Sequence, residues 1–272
     1  MYPVLFSLGP ITIHTYGFLV ASGFILALEV IRRLSVRSNL NPEKMVEICY
    51  GLLFIGFLGA RVLYIITRWS DFALDPWAIF KIWEGGLVFL GGPIADIPFL
   101  IWIYKKTRLP VWKSLDVFAP GLVLAHALGR LGCLASGCCY GKPTGSEFGI
   151  RFYSELVDPH LRGVLLHPTQ LYESFSLFIL FISLIWIHRR KLFDGQVALT
   201  YLLIYPIIRS IIEVFRGDQI RGFVIDQVLS TSQFISIFIF IGAGIALLKR
   251  LSEVKQQETF SAAVKPVHVK KG

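Results

Sequence analysis

The sequence predicts an all-α polytopic membrane protein of seven transmembrane helices, and three observations carry that prediction. Of its 272 residues, 54% are hydrophobic and only 17% charged, which departs from soluble domains in the membrane direction. The mean hydropathy of +0.64 agrees. Several apolar runs of about 17 to 22 residues are long enough to cross a hydrocarbon core at helical rise. Finally, the loops after the first, third, fifth and seventh runs hold most of the 27 Lys and Arg. Because positive loops stay inside, the amino terminus is expected outside and the carboxyl terminus in the cytoplasm. A net charge of +9 would suggest nucleic acid in a soluble chain. Concentrated in these loops, it points to the bilayer, and no nucleic-acid partner is expected.

The first predicted span covers residues 12–31 and contains Tyr16, Gly17 and Glu29. No cleavable signal peptide is expected before it, because residues 1–13 lack a basic segment. The second, 45–66, carries Arg61 near its outer end and Cys49 as an apolar filler. The third, 85–104, holds Gly91, Gly92, Pro93, Asp96 and Pro98, so one straight helix is not expected. Asp96 is read as a protonated carboxyl bonded to carbonyls that the break sets free. The fourth, 115–134, leads into a polar stretch at 137–167 that is too long for a hairpin and reads as a small extramembrane cap. Spans five to seven follow at 169–187, 196–215 and 225–248. Residues 1–250 read as one domain without an internal repeat, and 251–272 as a basic, disordered tail.

The stretch 126–141, His-Ala-Leu-Gly-Arg-Leu-Gly-Cys-Leu-Ala-Ser-Gly-Cys-Cys-Tyr-Gly, reads as a site. Gly129, Gly132, Gly137 and Gly141 are expected to unwind the helix and turn amides toward a ligand. Arg130 beside them suits a phosphate, which a planar guanidinium grips through two oxygens. A tight packing turn with a snorkelling Arg is the alternative. Arg61, Arg130 and Arg209 are all expected near the outer ends of their helices. Glu213, four residues after Arg209, neutralises one of them, so the head group of a phospholipid is the economical partner for the rest. A plain intrahelical ion pair is the alternative for Arg209 and Glu213. His167, Gln170 and Glu173 at the mouth of span five suit head-group orientation or proton transfer, or an ordinary interfacial cap. A disulfide from Cys133 to Cys138 or Cys139 fits an outer location. The C-x4-C-C spacing matches no standard zinc pattern, although His126, His160 or His167 could complete a site, and no metal or cofactor is expected.

Several separated segments together resemble the bacterial prolipoprotein diacylglyceryl transferases. They are Tyr16-Gly17-Phe18, Gly59-Ala60-Arg61 with Tyr64, Trp83-Glu84-Gly85-Gly86-Leu87-Val88-Phe89 leading to Gly91-Gly92, Gly129-Arg130-Leu131-Gly132 through Gly137 and Gly141, His167-Pro168-Thr169-Gln170-Leu171-Tyr172-Glu173, and Arg209-Ser210-Ile211-Ile212-Glu213-Val214-Phe215-Arg216. The resemblance implies transfer of a diacylglyceryl group from phosphatidylglycerol to the lipobox cysteine of a prolipoprotein signal peptide in the bacterial inner membrane, with release of glycerol 1-phosphate. It implies catalytic roles for Arg130, Arg209, Glu213, Tyr16 and His167. Substrate binding would fall to Arg130, Arg61, Gly91, Gly92, Gly129, Gly132, Gly141, Gln170 and Glu173. Three positions depart from the family pattern. Leu90 stands where the family has a His, Cys133 where it has an Asn, and Cys138 where it has a Glu. The usual base is thereby removed, which leaves the proton to Glu84, His126, His167 or a thiolate at Cys133 or Cys138. Rival readings are a lipid-binding relative without transfer, an anion or lipid transporter, and a membrane thiol oxidoreductase.

Overall fold

The computed structural model describes residues 3–8, 11–81, 85–88, 90–217, 222–225 and 228–263. A short hairpin of β1 (Val4–Leu8) and β2 (Ile11–His14) precedes α1 (Thr15–Arg37). Helices α2 (Pro42–Thr67), α3 (Trp69–Leu74), α4 (Gly91–Thr107) and α5 (Val111–Ser136) follow. Strands β3 (Ile150–Arg151) and β4 (Leu165–Leu166) pair in the cap before α6 (Thr169–Arg190) and α7 (Gln196–Phe215). A hairpin of β5 (Phe223–Ile225) and β6 (Leu229–Ser230) leads into α8 (Thr231–Ala263).

Among the described residues, five helices are long and apolar enough to cross a membrane: Pro42–Thr67, Val111–Ser136, Thr169–Arg190, Gln196–Phe215 and the Thr231–Gln256 part of α8. Helices α1 and α4 correspond to the other two predicted spans. Large apolar side chains such as Phe54, Ile182 and Leu248 are about two-thirds exposed on these helices, at 64%, 66% and 69%. Such a surface calls for hydrocarbon rather than water around it.

Local chemistry sets the helix ends. Asn41 caps α2 by accepting the Lys44 amide at 2.8 Å, and Pro42 follows at the first position, where its missing N–H costs nothing. The same rule corrects the expected break in the third span. Pro93 falls in the first turn of α4, so Gly91, Gly92 and Pro93 start the helix instead of interrupting it, and Pro98 is accommodated within it. Helix α5 likewise runs straight through Gly129 and Gly132, and unwinds only at Gly137, whose φ of +79° ends it. The carboxyl-terminal reading also changes, since α8 continues through residues 251–263 that the sequence predicts to be disordered.

The chain forms two compact units, residues 31–114 and residues 1–30 with 115–272. In the first, α2 and α4 meet through small residues. A Cβ on Gly59 would strike the Gly91 carbonyl and Ala95, and one on Gly91 would strike Gly59 in return. This is the close backbone approach that small residues permit between membrane helices. A Cβ on Gly56 would lie 3.0 Å from Asp96 Oδ2. The other oxygen of Asp96, Oδ1, is buried with no hydrogen-bond partner, so the expected bonds to freed carbonyls do not account for it.

In the second unit, Gly23 sets α1 against α5, where a Cβ would come within 3.1 Å of Leu128 Cβ. Ala119, Val123 and Ala127 of α5 pack with Leu177, Leu180 and Leu184 of α6 and Val197 and Ala198 of α7. Asp116, fully buried, ties the loop between α6 and α7 to α5. It accepts from Lys191 Nζ and the Gly195 amide, each at 2.8 Å, and from the Ala198 amide at 3.0 Å. Burial works against the Lys191 charge, but its hydrogen bonds to Asp116 and Asp194 outweigh that and hold its pKa above the ordinary lysine range. Asp116→Ala leaves the Gly195 and Ala198 amides without their acceptor and Lys191 with Asp194 as its remaining partner, and is expected to cost about 3 kcal/mol, read as a lowered unfolding midpoint in detergent micelles. The cap at 137–167 has its own small core of Tyr140, Phe152, Val157 and Leu166.

Candidate active site

Three helices of the second unit bring ionisable side chains to one place. On α5, His126 and Arg130 stand one turn apart. On α6, Glu173 is 1% exposed. On α7, Tyr205, Arg209 and Glu213 recur every four residues and so share a face. Glu173 is the hub. Its Oε2 lies 3.0 Å from Arg130 Nε and 3.7 Å from Arg209 Nη1, and its Oε1 is 3.6 Å from His126 Nε2. Arg209 Nη2 pairs with Glu213 at 2.6 Å and donates to Ser232 Oγ at 3.3 Å. Arg130 Nε also donates to His126 Nε2 at 3.3 Å, and the Tyr205 ring meets His126 edge-on, with 5.3 Å between ring centroids.

Two consequences follow from these distances. The contacts of Arg130 with Glu173 and His126 both use Nε, so neither occupies the terminal nitrogens of its fork. Arg209 Nη1, at 3.7 Å from Glu173, is buried with no hydrogen-bond partner among the described residues. A buried guanidinium donor without an acceptor is costly, and an incoming oxyanion removes that cost.

The cysteine turn lies beside this cluster. The Sγ atoms of Cys133, Cys138 and Cys139 all lie within 4.8 Å of one another, yet all are free thiols, so the expected disulfide is not formed. Thr169 Oγ1 donates to the Cys139 carbonyl at 2.7 Å, and Gln170 Nε2 donates to the Cys138 carbonyl at 2.6 Å. Hydrogen bonding from Cys133 and Cys138, helped by the charges of Arg216 and Arg130, holds the Cys139 thiol below its ordinary pKa despite burial. Tyr16, in the first turn of α1, lies over Gly132, where a Cβ would come within 3.0 Å of its ring, and is within electrostatic reach of Arg130 and the three thiols. Gly129 has open space, with nothing within 4 Å of an added Cβ.

Gly141 is enclosed by backbone. Its amide donates to the His167 carbonyl at 2.9 Å, the Lys142 amide donates to the Phe215 carbonyl at 2.8 Å, and a Cβ would come within 2.7 Å of the first oxygen and 2.8 Å of the second. Gly141 therefore packs between the segment leading into α6 and the end of α7. Gly141→Ala is expected to abolish transfer, with increased protease cutting in the cap as the check. His167 acts as a strut in the same join, with Nδ1 3.2 Å from the Tyr172 hydroxyl and its ring edge-on to Phe215.

Of the residues expected to be catalytic or to bind substrate, Arg130, Arg209, Glu173 and Glu213 come together, with Tyr16 and Gly132 alongside and Gln170 holding the cysteine turn. Arg61, Gly91 and Gly92 belong to the other compact unit. There, Arg61 is 7% exposed and donates to the carbonyls of Ala78, Ile79, Lys81, Gly85 and Gly86, at 2.6 to 3.4 Å. Carbonyl lone pairs take up its donors, which holds the loop after α3 in place. Gly91 and Gly92 serve helix packing in the same way. Glu84, one of the expected bases, lies outside the described residues, as do Trp83 and Phe89. His126 is paired with Arg130 and Glu173. Sequence reasoning missed Tyr205 and undervalued His126. Their signals were present as a four-residue ladder on α7 and as the H-x3-R spacing on α5.

Residues 3–249 match the model of the family described as prolipoprotein diacylglyceryl transferase. The chain is 37% identical over 243 residues to phosphatidylglycerol–prolipoprotein diacylglyceryl transferase 2 of Clostridium perfringens, covering 89% of this chain and 92% of that one. It is 36% identical to the corresponding Clostridium tetani protein, covering 89% and 94%, and 34% identical to that of Halalkalibacterium halodurans, covering 88% and 83%. The chain therefore belongs to the prolipoprotein diacylglyceryl transferase family.

Proposed function

We propose that Arg130 and Arg209 hold the phosphate of phosphatidylglycerol while the thiolate of a precursor's lipobox cysteine attacks the glyceryl carbon beside it. The activity is that of the family, diacylglyceryl transfer in the first step of lipoprotein maturation, and the chain is a multi-pass membrane transferase. The sulfur–carbon bond forms as the carbon–oxygen bond to phosphate breaks, and glycerol 1-phosphate leaves with the electron pair. Negative charge gathers on the phosphate as that bond lengthens, and fixed guanidiniums in a dry site stabilise it without reorganising. The observation that carries this reading is the pair of guanidiniums sharing Glu173, Arg209 buried and Arg130 partly so, with no acceptor for Arg209 Nη1 among the described residues. Glu213 and Glu173 keep both forks in place, and Tyr16 and Tyr205 flank the phosphate position.

The distribution of Lys and Arg supports seven spans in the bacterial inner membrane, with the amino terminus and the 137–167 cap on the periplasmic side and the carboxyl terminus in the cytoplasm. The active cluster then lies near the periplasmic face, where a lipobox peptide arrives. The test is transfer of labelled diacylglycerol from phosphatidylglycerol to a lipobox peptide in membranes containing the full chain. Thioether product that disappears with a Cys→Ser peptide supports the reading, and phosphatidylglycerol retention without any product sinks it.

A further inference from the structure

The cysteine turn is not used by the phosphate clamp, and its geometry asks for an explanation. Three thiols from two places in the chain converge, although adjacent side chains such as those of Cys138 and Cys139 ordinarily diverge. The convergence depends on Cys139 adopting a left-handed backbone, φ +63°, which a residue with a Cβ rarely takes. That conformation is held from outside, by Thr169 and Gln170, both 1% exposed, gripping the two carbonyls. Among the described residues, these thiols are the one group of three or more His, Cys, Asp or Glu arranged to hold a metal ion.

We infer that Cys133, Cys138 and Cys139 form a three-thiolate zinc site whose fourth position takes the thiol of the precursor cysteine. A zinc ion bonds thiolate sulfur at about 2.3 Å, so closing the present spacing by less than about an ångström completes the three-sulfur set. Three protein ligands with one open position is the pattern of a catalytic rather than a structural zinc. Zinc with three thiolates carries a net negative charge. Arg130 and Arg216, which both act electrostatically on Cys139, offset it. Arg130 is also the phosphate holder, so a thiol bound here stands beside the carbon it must attack. The inference rests on the transferase reading and supplies what Leu90 leaves missing, since coordination removes the thiol proton without a protein base. The proton passes to the water or hydroxide displaced from zinc. The thiolate lone pair then forms the bond to carbon, the phosphate departs with the carbon–oxygen pair, and the metal keeps its oxidation state.

The test uses the full chain in phosphatidylglycerol-containing micelles, stripped with chelator and reloaded with cobalt(II) or zinc(II). One cobalt per chain, with strong near-ultraviolet thiolate-to-metal absorption that is lost in C133S, C138S and C139S, supports the site. A change of the cobalt visible bands on adding lipobox peptide, absent with its Cys→Ser form, supports the open position. Retained phosphatidylglycerol binding shows that the Ser variants remain folded. Transfer is expected to fall at least ten-fold on stripping and to return with zinc. Full transfer by the stripped chain, or a disulfide among the three thiols in active protein, overturns the inference and leaves the transferase reading standing. A metal-loaded chain that transfers nothing overturns the transferase reading, and with it the role of the fourth position.

Discussion

Arg130→Ala is expected to lower diacylglyceryl transfer about a hundred- to a thousand-fold, the usual loss when a preorganised charge aimed at a developing oxyanion is removed. Arg130 meets Glu173 at 3.0 Å through Nε, which fixes the plane of the fork and so the direction of its remaining donors. Arg130→Lys is expected to recover little of the loss. An ammonium keeps the charge but cannot hold Glu173 and grip two phosphate oxygens in one plane. The measurement is the rate of product formation at saturating phosphatidylglycerol, with lipid retention measured in parallel. A decrease confined to lipid affinity, with the maximal rate unchanged, would show that the residue binds the ground state and does not stabilise the leaving group.

Glu173→Gln should affect the fold more than Arg130→Ala does. The substitution keeps the shape but removes the negative charge that Arg130 and the buried Arg209 share, leaving Arg209 with Glu213 alone, and breaking such a pair costs about 3 kcal/mol. The unfolding midpoint in neutral detergent is therefore expected to drop sharply. Phosphatidylglycerol is expected to restore part of it, because a phosphate can replace the missing carboxylate between Arg130 and Arg209. Micelles of an uncharged lipid should give no such recovery. If the midpoint is unchanged, or rises equally with both lipids, Glu173 is not the charge that holds the clamp together.

Much of this was written in the order of residues. Apolar run length and the placement of basic loops foretold a multi-pass helical protein, because hydrocarbon thickness and charge transfer act on local sequence. The four-residue spacing of Arg209 and Glu213 put them on one face before any packing was known, since helical geometry alone requires it. The starts of α6 and α7 are legible at residues 169 and 196, whereas α1 runs past the first span, α4 starts at Gly91 because Pro93 suits a first turn, and α8 runs from Thr231 to Ala263.

Packing decided the rest. Arg61, Arg130 and Arg209 look alike in sequence, each a cation in an apolar run. Arg61 is held by carbonyls of the loop after α3, whereas Arg130 and Arg209 converge on a carboxylate from a third helix. No pattern within one helix can show that Glu173 lies between α5 and α7, because that depends on how the helices cross. The same applies to the thiols. C-x4-C-C is an unremarkable spacing until a left-handed residue at Cys139, held by two side chains of α6, turns three sulfurs toward one another. Sequence alone determined which helices form and which residues carry charge into the membrane, because those follow from local periodicity and transfer energy. Only the tertiary structure decided which of the charges meet, since partnership between groups far apart in the chain is set by the packing that joins them.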